Sequence, residues 1–223
     1  MSAIDCGFAI VPQVFDNREI AGISRDLEGE TVRRSRAGAR HLLSMPAVAA
    51  LARDRRLIAM AAEVLGGEPV LFSATLFDKS AEANWLVVWH QDRALPLVGQ
   101  RDAPGWGPWS EKAGVTYAHA PACVLSKVVA LRVHLDDSTA NNGPLRVLPG
   151  THELGLLSDA QIHEAARRID AVTCTVERGG VIVMRPLLLH ASSKATDKAS
   201  RRVLHFEYSG AAAFENGLRL RVA

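Results

Sequence analysis

Two hydrophobic rhythms divide the chain. In the first third, apolar residues recur at helical spacing: Asp16 can cap a helix running to about Leu27, Ser44 with Pro46 marks the start of a second, and Asp54 can cap a third. Val48, Leu51, Ile58, Ala61 and Leu65 form one apolar stripe, and Gly66-Gly67 ends it. The helices of residues 16–66 therefore need a flat surface to cover. After Pro69 the rhythm shortens. Runs at 70–77, 85–89, 128–135, 145–148, 172–176, 181–184 and 203–208 read as strands of a body spanning about 69–209. In one of them Val129, Leu131, Val133 and Leu135 alternate with Val128, Ala130, Arg132 and His134, so one face is distinctly more polar. Asn142-Gly143 and Gly179-Gly180 tolerate positive φ and are expected to turn the chain between adjacent antiparallel strands. A mainly β fold, a double-sheet jelly roll with flanking helices, fits this order better than alternating α/β units.

Two stretches interrupt the β rhythm. Residues 93–122 hold Pro, Gly, Trp106, Trp109 and Tyr117 without sustained periodicity, which reads as a lid or pocket wall. Ser158 or Asp159 can cap a short helix to about Arg168.

Composition narrows the field. The chain has 223 residues, 48% of them hydrophobic and 22% charged, which excludes disorder as the main state. At this length one domain buries roughly 70% of its unfolded surface, so no disulfide or structural metal is required. A formal charge of +2 with scattered basic clusters gives no reason to expect nucleic acid as a partner. No apolar run suggests a bilayer span, and the first residues lack the pattern of a secretory signal. Cys6, Cys123 and Cys174 are too far apart for C-x-x-C chemistry, so a reducing cytoplasm is the expected location.

The chemistry gathers at strand ends. His90-Gln91-Asp92 closes a strand with an H-x-D pair, which places an imidazole and a carboxylate on the same side of an extended backbone. Alone, such a pair is equally a strand-end histidine with its needs met. His190 follows Asp92 by 98 residues at the end of an apolar run, and Arg201 follows His190 by 11. Two histidines and a carboxylate make a facial triad with open positions for a bidentate 2-oxo acid and dioxygen on Fe(II). Arg201 would meet the distal carboxylate of that acid through its planar fork.

The run Trp89-His90-Gln91-Asp92, then residues 142–152 (Asn-Gly-Pro-Leu-Arg-Val-Leu-Pro-Gly-Thr-His), then His190-Ala191-Ser192 and Arg201-Arg202, resembles the phytanoyl-CoA dioxygenase family of Fe(II)/2-oxoglutarate oxygenases. Gly7-Phe8-Ala9-Ile10-Val11-Pro12 and Phe77-Asp78-Lys79 extend the resemblance over nearly the whole chain. It implies a double-stranded β-helix, with His90, Asp92 and His190 on iron and Arg201 on the 2-oxoglutarate C5 carboxylate. It also implies that Ser192 assists that carboxylate and that Gln91 and Lys79 line the cofactor cavity. Because Asp92 stands where halogenating members carry a small residue, the implied reaction is hydroxylation of a small molecule with release of succinate and CO2.

Trp106, Trp109, Lys112 and Arg132 are candidate substrate contacts, with His119 beside them in the middle segment. Loop packing, or a strand arginine in a salt bridge, is the competing account of each. His152 and His205 read as structural, His41 and His163 give no reason to invoke binding, and Arg33-Arg34-Ser35-Arg36 reads as a solvated loop. Two other classes compete: an oxygen-independent jelly-roll metalloenzyme, in which Arg201 would be idle, and a non-catalytic binding module of the same fold.

Overall fold

The computed structural model describes residues 4–29, 38–80 and 83–222, which leaves the Arg33–Arg36 cluster outside the described residues. Strands dominate. The largest sheet has six, in the order β1 (Phe8–Val11), β11 (Val181–Met184), β8 (Val128–His134), β13 (Arg201–Ser209), β3 (Val70–Lys79) and β2 (Gly38–Ala39). A four-stranded sheet runs β10 (Val172–Cys174), β9 (Leu145–Val147), β12 (His190–Ser192) and β4 (Val87–His90). Every pairing is antiparallel. Ala130, Ile182 and Met184 of the large sheet share one apolar cluster with Leu145, Val147 and Cys174 of the small one, so the two sheets face each other as the layers of a jelly roll.

The helices cover the other face of the large sheet. In α1 (Asn17–Gly29), Asp16 accepts from the Arg18 and Glu19 amides at 2.8 Å, and Glu19 closes the box on the Asp16 amide at 2.8 Å. Next comes α2 (Pro46–Ala52), with proline in the first turn where its missing donor is not needed. Asp54 caps α3 (Arg55–Leu65), which ends at left-handed Gly66. Their apolar faces (Ile20, Leu27, Val48, Leu51, Leu57, Ala61) pack on Leu76, Leu131, Val133, Leu204 and Phe206. Full burial of each such side chain is worth about 1.5–3 kcal/mol. Tyr208 keeps its hydroxyl satisfied inside this layer by donating to the Ala52 carbonyl at 2.7 Å.

Alternation then decides the inner face. Register pairs Lys79 with Arg201, Phe77 with Val203, Thr75 with His205 and Ser73 with Glu207, while Arg132 on β8 also sits opposite His205. Because Leu204 and Phe206 face the helices, Arg201, His205 and Glu207 look into the space between the sheets.

Two expectations change. The Asn142-Gly143 and Gly179-Gly180 turns do not join neighbouring strands: the first lies between β8 and β9 and the second between β10 and β11, each linking one sheet to the other. A positive-φ turn marks a sharp reversal, but jelly-roll topology sends the chain across the sandwich. Both sites need glycine, since a Cβ would lie 2.6 Å from the Ser193 carbonyl at Gly143 (φ +70) and 2.1 Å from the Phe15 carbonyl at Gly179 (φ +84).

The middle segment is not irregular either. It forms a third antiparallel sheet of β5 (Ala94–Leu97), β7 (Val115–His119) and β6 (Trp109–Lys112), followed by the short α4 (Ala122–Leu125). Pro96 and the turn at Gly114 broke the alternation in sequence, although β5 and β6 are edge strands where such residues are tolerated. Farther on, α5 (Asp159–Arg168) begins in a capping box of Ser158 and Gln161. No helix among the described residues is long and apolar enough to cross a membrane.

Candidate active site

β4 and β12 lie side by side with His90 opposite His190, and their rings stand 4.2 Å apart. Asp92, just past β4, reaches both: its carboxylate oxygens lie 3.6 Å from His90 Nε2 and 3.4 Å from His190 Nε2. One ligand atom from each of the three lies within 4.8 Å of the others, and among the described residues only these three form such a cluster. Each ring is held by its far nitrogen, His90 Nδ1 to the Val88 carbonyl and His190 Nδ1 to the Leu188 carbonyl, both at 2.9 Å. A carbonyl only accepts, so Nδ1 carries the hydrogen and both Nε2 lone pairs turn toward Asp92.

Electrostatics agree with a cation site. Burial alone would raise the Asp92 carboxyl, but His190 and His90 hold it well below the usual carboxylate range. Burial presses the His190 imidazole down to about 4, against the pull of Asp92, leaving it neutral as a metal ligand must be.

Next to the triad is the reverse situation, a group of buried cations. Arg201 is 3% exposed and Lys79 fully enclosed. Lys79 Nζ donates to Ser192 Oγ at 2.8 Å and to the Ser193 carbonyl at 2.6 Å, and Ser192 Oγ donates to the Gly143 carbonyl at 2.8 Å. Burial and the neighbouring Arg201 charge push the Lys79 ammonium down to about 8, while burial and Arg132 push Arg201 down to about 9. Arg132 lies over the Phe77 ring at 5.0 Å and donates to His205 Nδ1 at 3.2 Å. Neither Arg132, Arg201 nor Lys79 has a carboxylate within ion-pair distance among the described residues. Arg201 Nε, Arg132 Nε and both nitrogens of His134 are buried without a hydrogen-bond partner among them. Buried cations and orphaned donors of this kind are costly unless an anion meets them.

The other expected site residues divide. Gln91 does not join the cofactor group: its amide donates to the Leu187 and Gly155 carbonyls at 2.8 Å and accepts from the Leu157 amide at 3.0 Å. Alternation explains this, since the residue between His90 and Asp92 must point the other way. Trp106 stacks on Phe214 at 5.2 Å in a satellite apolar cluster, and Trp109 packs at the edge of that cluster, so neither is brought to the triad. Lys112 is exposed at the end of β6, its Nζ 5.1 Å over the Tyr117 ring. His152 packs beneath Gly7, as a structural residue would. His205, read as structural in sequence, instead faces the cavity between Arg132 and Glu207.

Glu207, beside His205 on the inner row, was missed. The i, i+2 spacing of His205 and Glu207 on one strand was the available signal.

Comparison with known proteins now has a geometry to meet. The profile of the family described as phytanoyl-CoA dioxygenase (PhyH) matches residues 5–203. The chain belongs to the phytanoyl-CoA dioxygenase family. An L-proline trans-4-hydroxylase from Streptomyces griseoviridis is 25% identical, over 86% of this chain and 75% of its own. Among solved structures, AviO1 from Streptomyces viridochromogenes Tue57 superposes with a TM-score of 0.69 at 23% identity, covering 94% of this chain and 92% of AviO1. HygX from Streptomyces hygroscopicus, solved with nickel and 2-oxoglutarate, gives 0.66 at 19% identity, covering 95% and 85%. Family membership makes the protein an Fe(II)/2-oxoglutarate-dependent dioxygenase. The donor set fits: two imidazoles and a carboxylate suit Fe(II), and a cationic pocket suits a dicarboxylate.

Proposed function

We propose that the protein hydroxylates an unactivated carbon of a small molecule, with His90, Asp92 and His190 holding Fe(II) and Arg201 receiving the distal carboxylate of 2-oxoglutarate. The observation that carries this reading is a three-ligand cluster on the small sheet facing, across the sandwich, buried Arg201, Arg132 and Lys79 that have no carboxylate partner among the described residues. When bound, iron and 2-oxoglutarate supply the oxidising chemistry with O2, yielding succinate and CO2.

The chain's own residues bind and orient. Val88 and Leu188 carbonyls fix the two imidazoles before any metal arrives, so the site is preorganised. Lys79 pins Ser192 and the 143 turn, which gives the Arg201 pocket a rigid wall. The neutral His134 and the Arg132–His205 pair complete that wall without adding a competing carboxylate. Asp92 between both histidines supports hydroxylation over halogenation, because the position a halide would take is occupied by a carboxylate. An oxygen-independent metalloenzyme would have no use for three unpaired cations beside its metal, and a binding module no use for a preorganised triad.

The test is anaerobic addition of Fe(II) and then 2-oxoglutarate to the metal-free protein, read by the weak visible charge-transfer band of a chelated 2-oxo acid. The band is expected in wild type and in Lys198→Ala, and at much higher 2-oxoglutarate in Arg201→Ala. Iron binding without the band in wild type overturns the oxygenase reading.

A further inference from the structure

The pocket beside Arg201 holds one more donor than the motifs show. In β8, Leu131 and Val133 join the core on the helix side, so Arg132 and His134 face inward between the sheets. His134 pairs with Val203 of β13, and the ladder runs on as the Leu135 amide donates to the Arg202 carbonyl at 3.0 Å. Arg201 is therefore the next inward residue beyond Val203, a diagonal neighbour of His134 at about 7–8 Å between Cα atoms. On its other side the His134 backbone bonds to Gly179 and Gly180, at 2.8 and 3.0 Å, and glycine offers the ring no side-chain partner.

His134 is 1% exposed, and neither ring nitrogen has a hydrogen-bond partner among the described residues. Arg201 Nε is buried in the same condition, so two orphaned donors face one pocket. Burial and the charges of Arg132 and Arg201 push the imidazole down to about 3, which leaves the ring neutral and carrying one N–H. A buried N–H with no acceptor is a standing cost to the fold that an incoming acceptor removes.

The other polar groups of the pocket are already committed. Ser192 has a single proton, which goes to the Gly143 carbonyl at 2.8 Å, while its oxygen accepts from Lys79 at 2.8 Å. Lys79 spends a second proton on the Ser193 carbonyl at 2.6 Å. A carboxylate offers about four acceptor sites, and the planar fork of Arg201 meets only two of them.

We infer that His134 is a further binding residue for 2-oxoglutarate, its ring N–H donating to the distal carboxylate beside the Arg201 fork, in the role that family resemblance implied for Ser192. This rests on the hydroxylase reading and names a donor that tells a carboxylate from an apolar end. A neutral ring does so without adding a fourth charge to Lys79, Arg132 and Arg201.

Two 2-oxo acids of equal length separate recognition from packing. Anaerobic protein loaded with Fe(II) is titrated with 2-oxoglutarate and with 2-oxopentanoate, in which a methyl group replaces the distal carboxylate, each read by the charge-transfer band. His134→Phe keeps a ring but no donor, so its Kd for 2-oxoglutarate is expected to rise about tenfold or more, with 2-oxopentanoate within about twofold of wild type. His134→Gln keeps an N–H and should recover most of the loss. Equal weakening of both acids in His134→Phe would show that the ring only fills space and overturns the inference, as does unchanged 2-oxoglutarate affinity. Should the variants fail to fold, NMR of the zinc-loaded wild type decides: a histidine ring N–H resonance must move with 2-oxoglutarate and not with 2-oxopentanoate, and its absence overturns the assignment. Iron binding with no band from either acid in wild type overturns the underlying hydroxylase reading instead.

Discussion

The two ends of the β13 inner row treat charge in opposite ways. At the Arg201 end, cations are deeply buried, Lys79 is tied to Ser192 and Ser193, and the chemistry is of a single sign. At the Glu207 end a half-buried carboxylate stands beside an imidazole, with Glu207 Oε1 4.0 Å from His205 Nε2. A rigid pocket of one sign suits a constant cosubstrate, because the desolvation cost is met by the same dicarboxylate in every cycle.

The largest effect expected lies between the two ends. Asp92→Ala removes the only carboxylate of the triad, and succinate release should fall by about a thousandfold or more while iron binding weakens, measured by metal content and product assay. His90→Ala should lose iron altogether. Arg201→Ala comes next: loss of charge-assisted hydrogen bonds worth about 1.5–3 kcal/mol each should raise the 2-oxoglutarate Kd by roughly tenfold to a hundredfold or more, with Lys198→Ala unchanged. Wild-type affinity in Arg201→Ala would erase the contrast between the ends.

Gly143→Ala sharpens the rigid end without touching a ligand. Its Cβ would lie 2.8 Å from Lys79 Nζ on a φ of +70, so stability should drop by about 1–3 kcal/mol in urea unfolding. Its 2-oxoglutarate affinity should fall with it.

At the Glu207 end, burial and the Asp92 charge push the Glu207 carboxyl up to about 7. Below the unfolded-state value the group is neutral in both states and costs nothing. As pH rises toward 7 the unfolded chain releases that proton and the folded protein does not, so the contribution to stability is lost and stays lost above 7. Glu207→Gln should therefore stabilise the metal-free protein by about 1–3 kcal/mol at pH 8 and by little near pH 4. A variant that gains equally at both values would show that Glu207 is not a strained carboxylate. The smallest effect belongs to Trp106→Phe, which should leave succinate release within about twofold of wild type because Trp106 packs on Phe214 away from the triad.

Local signals carried much of this into the sequence. Asp16, Asp54, Ser158 and Gly66 act over one helical turn, so their helices were legible. His90, Asp92 and His190 were legible because they close apolar runs, Arg201 by its spacing from His190, and their order matched a known family. Lys79 was marked only by family resemblance; its bonds to Ser192 and Ser193 span 113 and 114 residues, a separation at which chain periodicity carries no information. Gln91 shows the converse, a residue inside the motif whose direction follows from strand alternation and not from its neighbours' chemistry.

The sequence by itself determined the helical and β rhythms, the caps and the ligand types, since propensity, capping and alternation depend on residues a few positions apart. Tertiary structure alone decided that the glycine turns cross between sheets, that residues 93–122 build a third sheet, and that Trp106 belongs to a packing cluster. It also decided that Arg132 of β8 meets His205 of β13, with Glu207 4.0 Å from the same imidazole. Strand register sets those meetings, and register depends on the free energy of whole faces packing together, which no local stretch of chain contains.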